Sequence, residues 1–271
     1  MQVINCRPCV ISVAGLDLLA TDRGCQLLYF ILALLSTAVG ALSGIGGGLI
    51  IRPSLSLLGV SLGLATFTSA ASVFVMSAVT VVARQAWKTS IKFGRLIYLA
   101  VGSVVGAFAG AYVLRFLSPV LVSVCLIAVM AFMGALLILK KYIKPRVITN
   151  PFLGSGVGFS TGFLSGLFGI GGGPFQMIAL MFLFGSKPKE AVVQSLFIAM
   201  LASGASLIQY WFNGFADLSL LIYVLPGSIL GGLVGYFVAK RVSDKFVVIL
   251  LFMLVLVVIV SQVYVIAAGI V

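Results

Sequence analysis

Two clusters of glycine are the residues of this chain best suited to hold a ligand. One is Gly44-Ile45-Gly46-Gly47-Gly48 and the other is Gly169-Ile170-Gly171-Gly172-Gly173, each set in an apolar stretch. Three glycines in four residues break a helix. At membrane depth the break frees backbone N–H and C=O groups, tolerated only where protein or a water-filled cavity surrounds them. A helix restarts after each cluster, at Leu49 and near Pro174, and proline suits a first helical turn because that N–H would be free anyway. Free N–H groups at a half-helix N-terminus favour an anion through hydrogen bonds and the helix dipole. Either cluster alone reads equally well as a tight hairpin turn. Two clusters related by a repeat favour the anion site.

The candidate binding residues are therefore Ser43, Gly44, Gly46, Gly47 and Gly48 on one side, with Gly169, Gly171, Gly172 and Gly173 on the other. Thr68 and Ser69 lie in a later apolar stretch, and Gln194 and Ser195 take the equivalent place after a one-residue shift. These uncharged groups could orient an oxyanion or hydrogen-bond a neighbouring helix. Arg52 lies four residues past Gly48, and a charge near the bilayer centre costs roughly 2.5–3.5 kcal/mol even on the lower scale. It either attracts an anionic substrate or snorkels to the outer interface. Its own sequence neighbourhood offers no carboxylate partner.

Several chemistries are missing. The chain has no histidine, and its acids, Asp17, Asp22, Glu190, Asp217 and Asp244, all sit near ends or loops. A carboxylate or imidazole proton relay across the membrane is therefore not expected. No nucleophile–base–acid set and no phosphate-binding Walker loop occurs. Cys6 and Cys9 form a C-x-x-C pair without further metal ligands or a partner base. The expectation is a chain that is not an enzyme and has no cofactor or metal.

The elements that must position these residues are membrane helices. Apolar residues make up 62% of the chain and charged residues 8%, against roughly 25% charged in a soluble domain. Stretches long enough to span a bilayer run over 62–83, 96–114, 119–139, 190–210, 218–239 and 246–268. The net charge of +12 comes from short basic clusters between these stretches. That pattern belongs to membrane topology rather than to nucleic-acid binding.

The chain is also a duplication. Gly44–Gly48 returns 125 residues later, and Gly102, Ser103, Gly106 and Gly110 return at the same offset as Gly227, Ser228, Gly231 and Gly235. This divides the chain into a tail over 1–26, a first membrane repeat with its linker over 27–146, and a second repeat over 147–271. Small residues at every fourth position read as helix-packing faces. Four simple spans per repeat would make the halves parallel and split the basic residues ten against seven. Hairpins that turn at each glycine cluster, with arms 27–43 and 49–60, then 151–168 and 174–185, invert the halves. Thirteen basic residues then face the cytoplasm, and only Arg7, Arg23, Arg52 and Arg115 face outward. The expected fold is an all-α integral membrane protein of two inverted repeats, each a glycine-tipped broken-helix hairpin plus three spanning helices.

From about Leu27 onward the chain resembles the TauE/SafE (TSUP) family of sulfite and organosulfonate transporters. The resemblance rests on the twin Gly-x-Gly-Gly-Gly clusters, Pro53 after the first, Pro174 in the second and the duplicated arrangement. It implies transport of sulfur-containing anions, often as export. Arg52, where an apolar residue is expected, and the longer tail with Cys6 and Cys9 depart from the family pattern. The expected function is transport of a small oxyanion, most simply sulfite or an organosulfonate, driven outward by a cytoplasm-negative potential. The alternative is a membrane anchor or assembly protein without transport. The partners expected are a small anion and membrane lipid, with no nucleic acid; a homo-oligomer is compatible. The location expected is multi-pass in a cell membrane, most simply a bacterial inner membrane.

The topology has a direct test. Single cysteines at Ser90 and Asn213, in a cysteine-free background, should differ in labelling by an impermeant thiol reagent, with only Asn213 reached from outside. Equal external labelling would remove the inverted arrangement.

Overall fold

The computed structural model describes residues 22–86, 96–139 and 150–267. Cys6, Cys9, Trp87 and the basic segments 88–95 and 140–146 lie outside the described residues. The helices are α1 (Asp22–Ser43), α2 (Gly48–Leu57), α3 (Leu62–Ala86), α4 (Leu96–Leu114), α5 (Pro119–Leu139), α6 (Pro151–Phe168), α7 (Gly173–Leu183), α8 (Pro188–Phe212), α9 (Leu221–Ala239) and α10 (Asp244–Ala267). No strand occurs among the described residues. Seven of these helices, α1, α3, α4, α5, α8, α9 and α10, are long and apolar enough to cross a membrane. The sequence-derived spans coincide with them to within a few residues.

The short helices α2 and α7, of 10 and 11 residues, reach only about 15 Å at 1.5 Å per residue. That is half of a hydrocarbon core of roughly 30 Å. Each folds back along the helix before it. The ring of Phe184, just past α7, comes within 4 Å of the position a Gly154 side chain would take near the start of α6. In the first repeat, Tyr29 and Leu32 of α1 pack on the cluster of Ile51, Leu55 and Ala65.

Helix directions follow from which residues touch. Gly102, Gly106 and Gly110 of α4 meet the backbone of residues 155–159, 159–163 and 163–167 of α6 in turn, so the two helices run parallel. Gly227, Gly231 and Gly235 of α9 meet residues 30–34, 34–38 and 38–41 of α1 in the same sense. Ser72 hydrogen-bonds Ser228, and Thr80 donates to the Gly232 carbonyl, so α3 also runs parallel to α9. By contrast α3 and α8 run antiparallel: Gly63 lies against Phe215, and Phe74 against Gly204.

The glycine stripes therefore act as packing faces. A methyl group on Gly106 would fall on the Phe159 carbonyl, with the Phe163 nitrogen 2.8 Å away. Without side chains at these positions the helix backbones come together, as small-residue interfaces in membranes do. Exchanging the repeats maps the α4–α6 contact onto α9–α1, and α4–α8 onto α9–α3. Each tight helix pair thus takes one member from each repeat.

Gly106→Ala should lower the stability of the detergent-purified protein by about 1–3 kcal/mol, the usual cost of overpacking. Gly134→Ala is the matched control, because its added methyl would find only Val255 Cγ1 at 3.5 Å. Thermal unfolding followed by monodisperse elution should separate the two. Asn213 donates to the Ala111 carbonyl at 2.8 Å, so exposed Ser219 on the same connection is the better labelling position for topology.

Candidate functional site

The two hairpin tips meet inside the protein. A methyl group on Gly48 would stand 3.0 Å from Ile170 Cα, one on Gly46 3.6 Å from the Ile170 carbonyl, and one on Gly173 would collide with the Ile45 backbone. Only glycine permits that approach. Two serines fasten the contact crosswise. Ser69 Oγ of α3 donates to the Gly169 carbonyl at 2.8 Å, with the Gly48 carbonyl at 3.2 Å. Ser195 Oγ of α8 donates to the Gly44 carbonyl at 2.8 Å, with its own Val192 carbonyl at 3.0 Å. Gly44 and Gly169 are the first glycines of the two clusters, so each tip is held by a hydroxyl from the other repeat.

Both tips end in free donors. Among the described residues no acceptor is bonded to the N–H groups of Gly47 and Gly48, or to those of Gly171, Gly172 and Gly173. Gly172 caps α7 at φ 69°, a left-handed conformation that side-chain-bearing residues rarely adopt. The surroundings of the two tips differ. Gly47 is packed against the Thr37 side chain and backbone. Gly172 instead faces Ser165 Oγ and Gln176 Nε2, both 2.9 Å from where its side chain would begin, and Gly171 faces Ser203 Oγ at 3.2 Å. Ser165, Gln176 and Ser203 are at most 1% exposed, and their hydroxyl or amide atoms have no hydrogen-bond partner.

The other candidate residues divide. Ser43 is buried but donates to the Val39 carbonyl of its own helix at 2.8 Å. Thr68 is buried, and its hydroxyl has no partner. Gln194 is not brought to the tips: its Oε1 accepts from Ser186 at 2.8 Å on the α7–α8 connection. The neighbouring position on a helix points about 100° away, which separates Gln194 from Ser195.

Arg52 does not snorkel. It is 2% exposed, and its Nε and Nη1 have no partner. Tyr210 lies in electrostatic reach of its guanidinium. The Tyr210 hydroxyl in turn donates to the Gly166 carbonyl, shortly before the second tip. No carboxylate pairs with Arg52 among the described residues.

The candidate residues named from the sequence did not include Ser165, Gln176 or Ser203. Gln176 had a usable signal, being a polar side chain in a run of apolar residues two positions after Pro174. Ser203 had none, because a serine in a span reads equally well as helix packing. An apolar crevice of about 680 Å³ lies elsewhere, between α5, α6 and α7, lined by Phe132, Met133, Leu136, Phe152, Phe175 and Phe182 among others. Its lining suits hydrocarbon rather than an anion.

Residues 29–262 match the sequence profile of the family described as "Sulfite exporter TauE/SafE". The chain is 29% identical to the probable membrane transporter protein YunE of Bacillus subtilis, over 82% of this chain and 91% of that one. It is 32% identical to the probable membrane transporter protein MJ0441 of Methanocaldococcus jannaschii, over 64% of this chain and 67% of that one. A probable membrane transporter protein of Xylella fastidiosa is 28% identical over 78% and 83%. No solved structure matches the chain. With its spanning helices, this similarity makes the chain a multi-pass membrane protein whose relatives are transporters, not enzymes.

Replacing Arg52 tests whether its buried charge serves an anion. Arg52→Gln should raise the apparent KM for anion flux about tenfold, or about 1.4 kcal/mol. Arg52→Lys should fall between, keeping the charge but losing the planar fork. Initial flux against concentration, normalised to folded protein, is the measurement; an unchanged KM in Arg52→Gln would remove this residue from the site.

Proposed function

The chain belongs to the TauE/SafE family of membrane transporters, and from that premise we propose that it carries a small oxyanion, sulfite or an organosulfonate, outward across the cell membrane. The observation that carries this reading is the meeting of two half-helix N-termini whose N–H groups lack acceptors among the described residues. Such termini attract negative charge. A buried arginine without a carboxylate adds to that preference. Described acids such as Glu190, Asp217 and Asp244 lie at helix ends and connections, where they do not compete for the cation.

The inverted arrangement belongs to the same proposal. The antiparallel course of α3 and α8, which occupy equivalent places in the two repeats, supports it. So does the bond from the Lys189 N–H to Asp244 at 3.2 Å, which keeps the α7–α8 and α9–α10 connections on one side. The direction follows from charge. A cytoplasm-negative potential of 100 mV favours anion exit by about 2.3 kcal/mol per charge, so export needs no coupling ion.

The test is flux from proteoliposomes loaded with radiolabelled sulfite, methanesulfonate, sulfate, phosphate or chloride. Efflux of sulfite or methanesulfonate should exceed that of the other anions and rise with an inside-negative potential. Flux of every anion at the level of protein-free liposomes would overturn transport and leave the membrane-anchor reading.

A further inference from the structure

The two tips are related by the repeat, yet their chemistry differs position by position. Ser165 corresponds to Gly40, and Gln176 corresponds to Ile51. Gly40 places its bare Cα against the Gly47 nitrogen, and Ile51 is buried in a cluster with Leu55 and Ala65. Ser203 corresponds, with the one-residue shift, to Ser77. The Ser77 hydroxyl is also unpartnered, but the atoms packed nearest Gly46 are the Val73 methyls and the Ile170 carbonyl. Around the first tip, then, Thr37 and Val73 carbons lie against Gly47 and Gly46, and the hydroxyl beside Gly48, Ser69 Oγ, already donates to backbone carbonyls. Around the second, three side chains offer polar atoms.

We infer that the anion is bound at the second tip alone, by the N–H groups of Gly172 and Gly173, Ser165 Oγ, Ser203 Oγ and the Gln176 amide, while the first tip is its structural counterpart. This rests on the reading of the chain as an oxyanion transporter and assigns that site to one tip. A buried hydroxyl or amide without a partner costs free energy, and three of them beside one helix N-terminus is an arrangement that an acceptor-rich ligand relieves together. The donors number five: two backbone N–H groups, two hydroxyls and the Gln176 amide N–H. An anion with three oxygens on one centre, as in sulfite and sulfonates, can accept from all of them. Gln176 Oε1 can accept from an O–H or N–H that such an anion carries.

The site has no charged side chain among these five donors. Arg52 stands outside that set, with Tyr210 in its electrostatic reach. The bound anion is therefore held by neutral dipoles, which can release it as readily as they bind it. Transport requires that balance, because an anion held too tightly cannot leave.

Sulfite and methanesulfonate efflux is measured for the wild type, Gln176→Leu, the Ser165→Ala/Ser203→Ala double variant and Ile51→Val, each reconstituted from monodisperse protein. Gln176→Leu keeps the side-chain volume close to native, and the serine changes each remove one oxygen, so at least one of them should fold. Apparent KM should rise at least tenfold in every folded second-tip variant, and stay within twofold of the wild type in Ile51→Val. Wild-type KM in the folded second-tip variants, with flux intact, would overturn this assignment and leave transport standing. An equal rise in Ile51→Val would overturn it too, by making the two tips equivalent. Absence of flux in the wild type would fell the transport reading itself, and with it this one.

Discussion

A peptide group in hydrocarbon has no water to turn to, so any backbone that leaves its helix must find partners within the protein. This chain leaves its helices twice, at Gly44–Gly47 and Gly169–Gly172, and most of the architecture follows from containing those two breaks. The broken ends are placed against each other, away from lipid. Ser69 and Ser195 take up the Gly169 and Gly44 carbonyls that the breaks release. Among the described residues the freed N–H groups of Gly47, Gly48 and Gly171–Gly173 have no backbone acceptor. The carbonyls of Gly44 and Gly169 are satisfied while donors are left over, and the proposed anion site rests on that imbalance.

The same need for close approach explains the glycine stripes. Broken helices can be enclosed only if the surrounding helices pack tightly, and α4 against α6 and α1 against α9 do so through bare backbone. Two bodies result, one built around α1, α3 and α9 and the other around α4, α6 and α8. They meet along the antiparallel α3–α8 contact and at the tips. A relative movement of these bodies would leave each glycine-packed pair intact and act on the two serine bonds, which are the polar links between a tip and the opposite repeat.

The repeat, the two breaks and the helix boundaries were legible in the sequence because each leaves a periodic or compositional mark. Gly44–Gly48 and Gly169–Gly173 share an offset with the later glycine stripes, and that offset located the equivalent elements. Which polar side chain faces the breaks was less legible. Gln194 and Ser195 are adjacent in sequence, but one bonds Ser186 and the other the first tip. Helix rotation decides this, and in a helix apolar all round no hydrophobic face announces the rotation. The fate of Arg52 was equally hidden. A short apolar helix can lie at an interface or be enclosed, and enclosure of α2 depends on its neighbours α1 and α3 and on α10, which is distant in sequence.

The interleaving of the two halves also constrains how the protein is made. α1 emerges first from the ribosome, yet the helix whose backbone it must touch, α9, begins at Leu221. At about 5–20 residues per second, synthesis of the intervening chain takes on the order of 10–40 seconds. Throughout that interval the face of α1 that will meet glycine is unmated in the bilayer. Neither half can complete its core by itself, so the duplication cannot be two modules that fold in succession. A single half on its own would have met the same requirement only by pairing with a second copy.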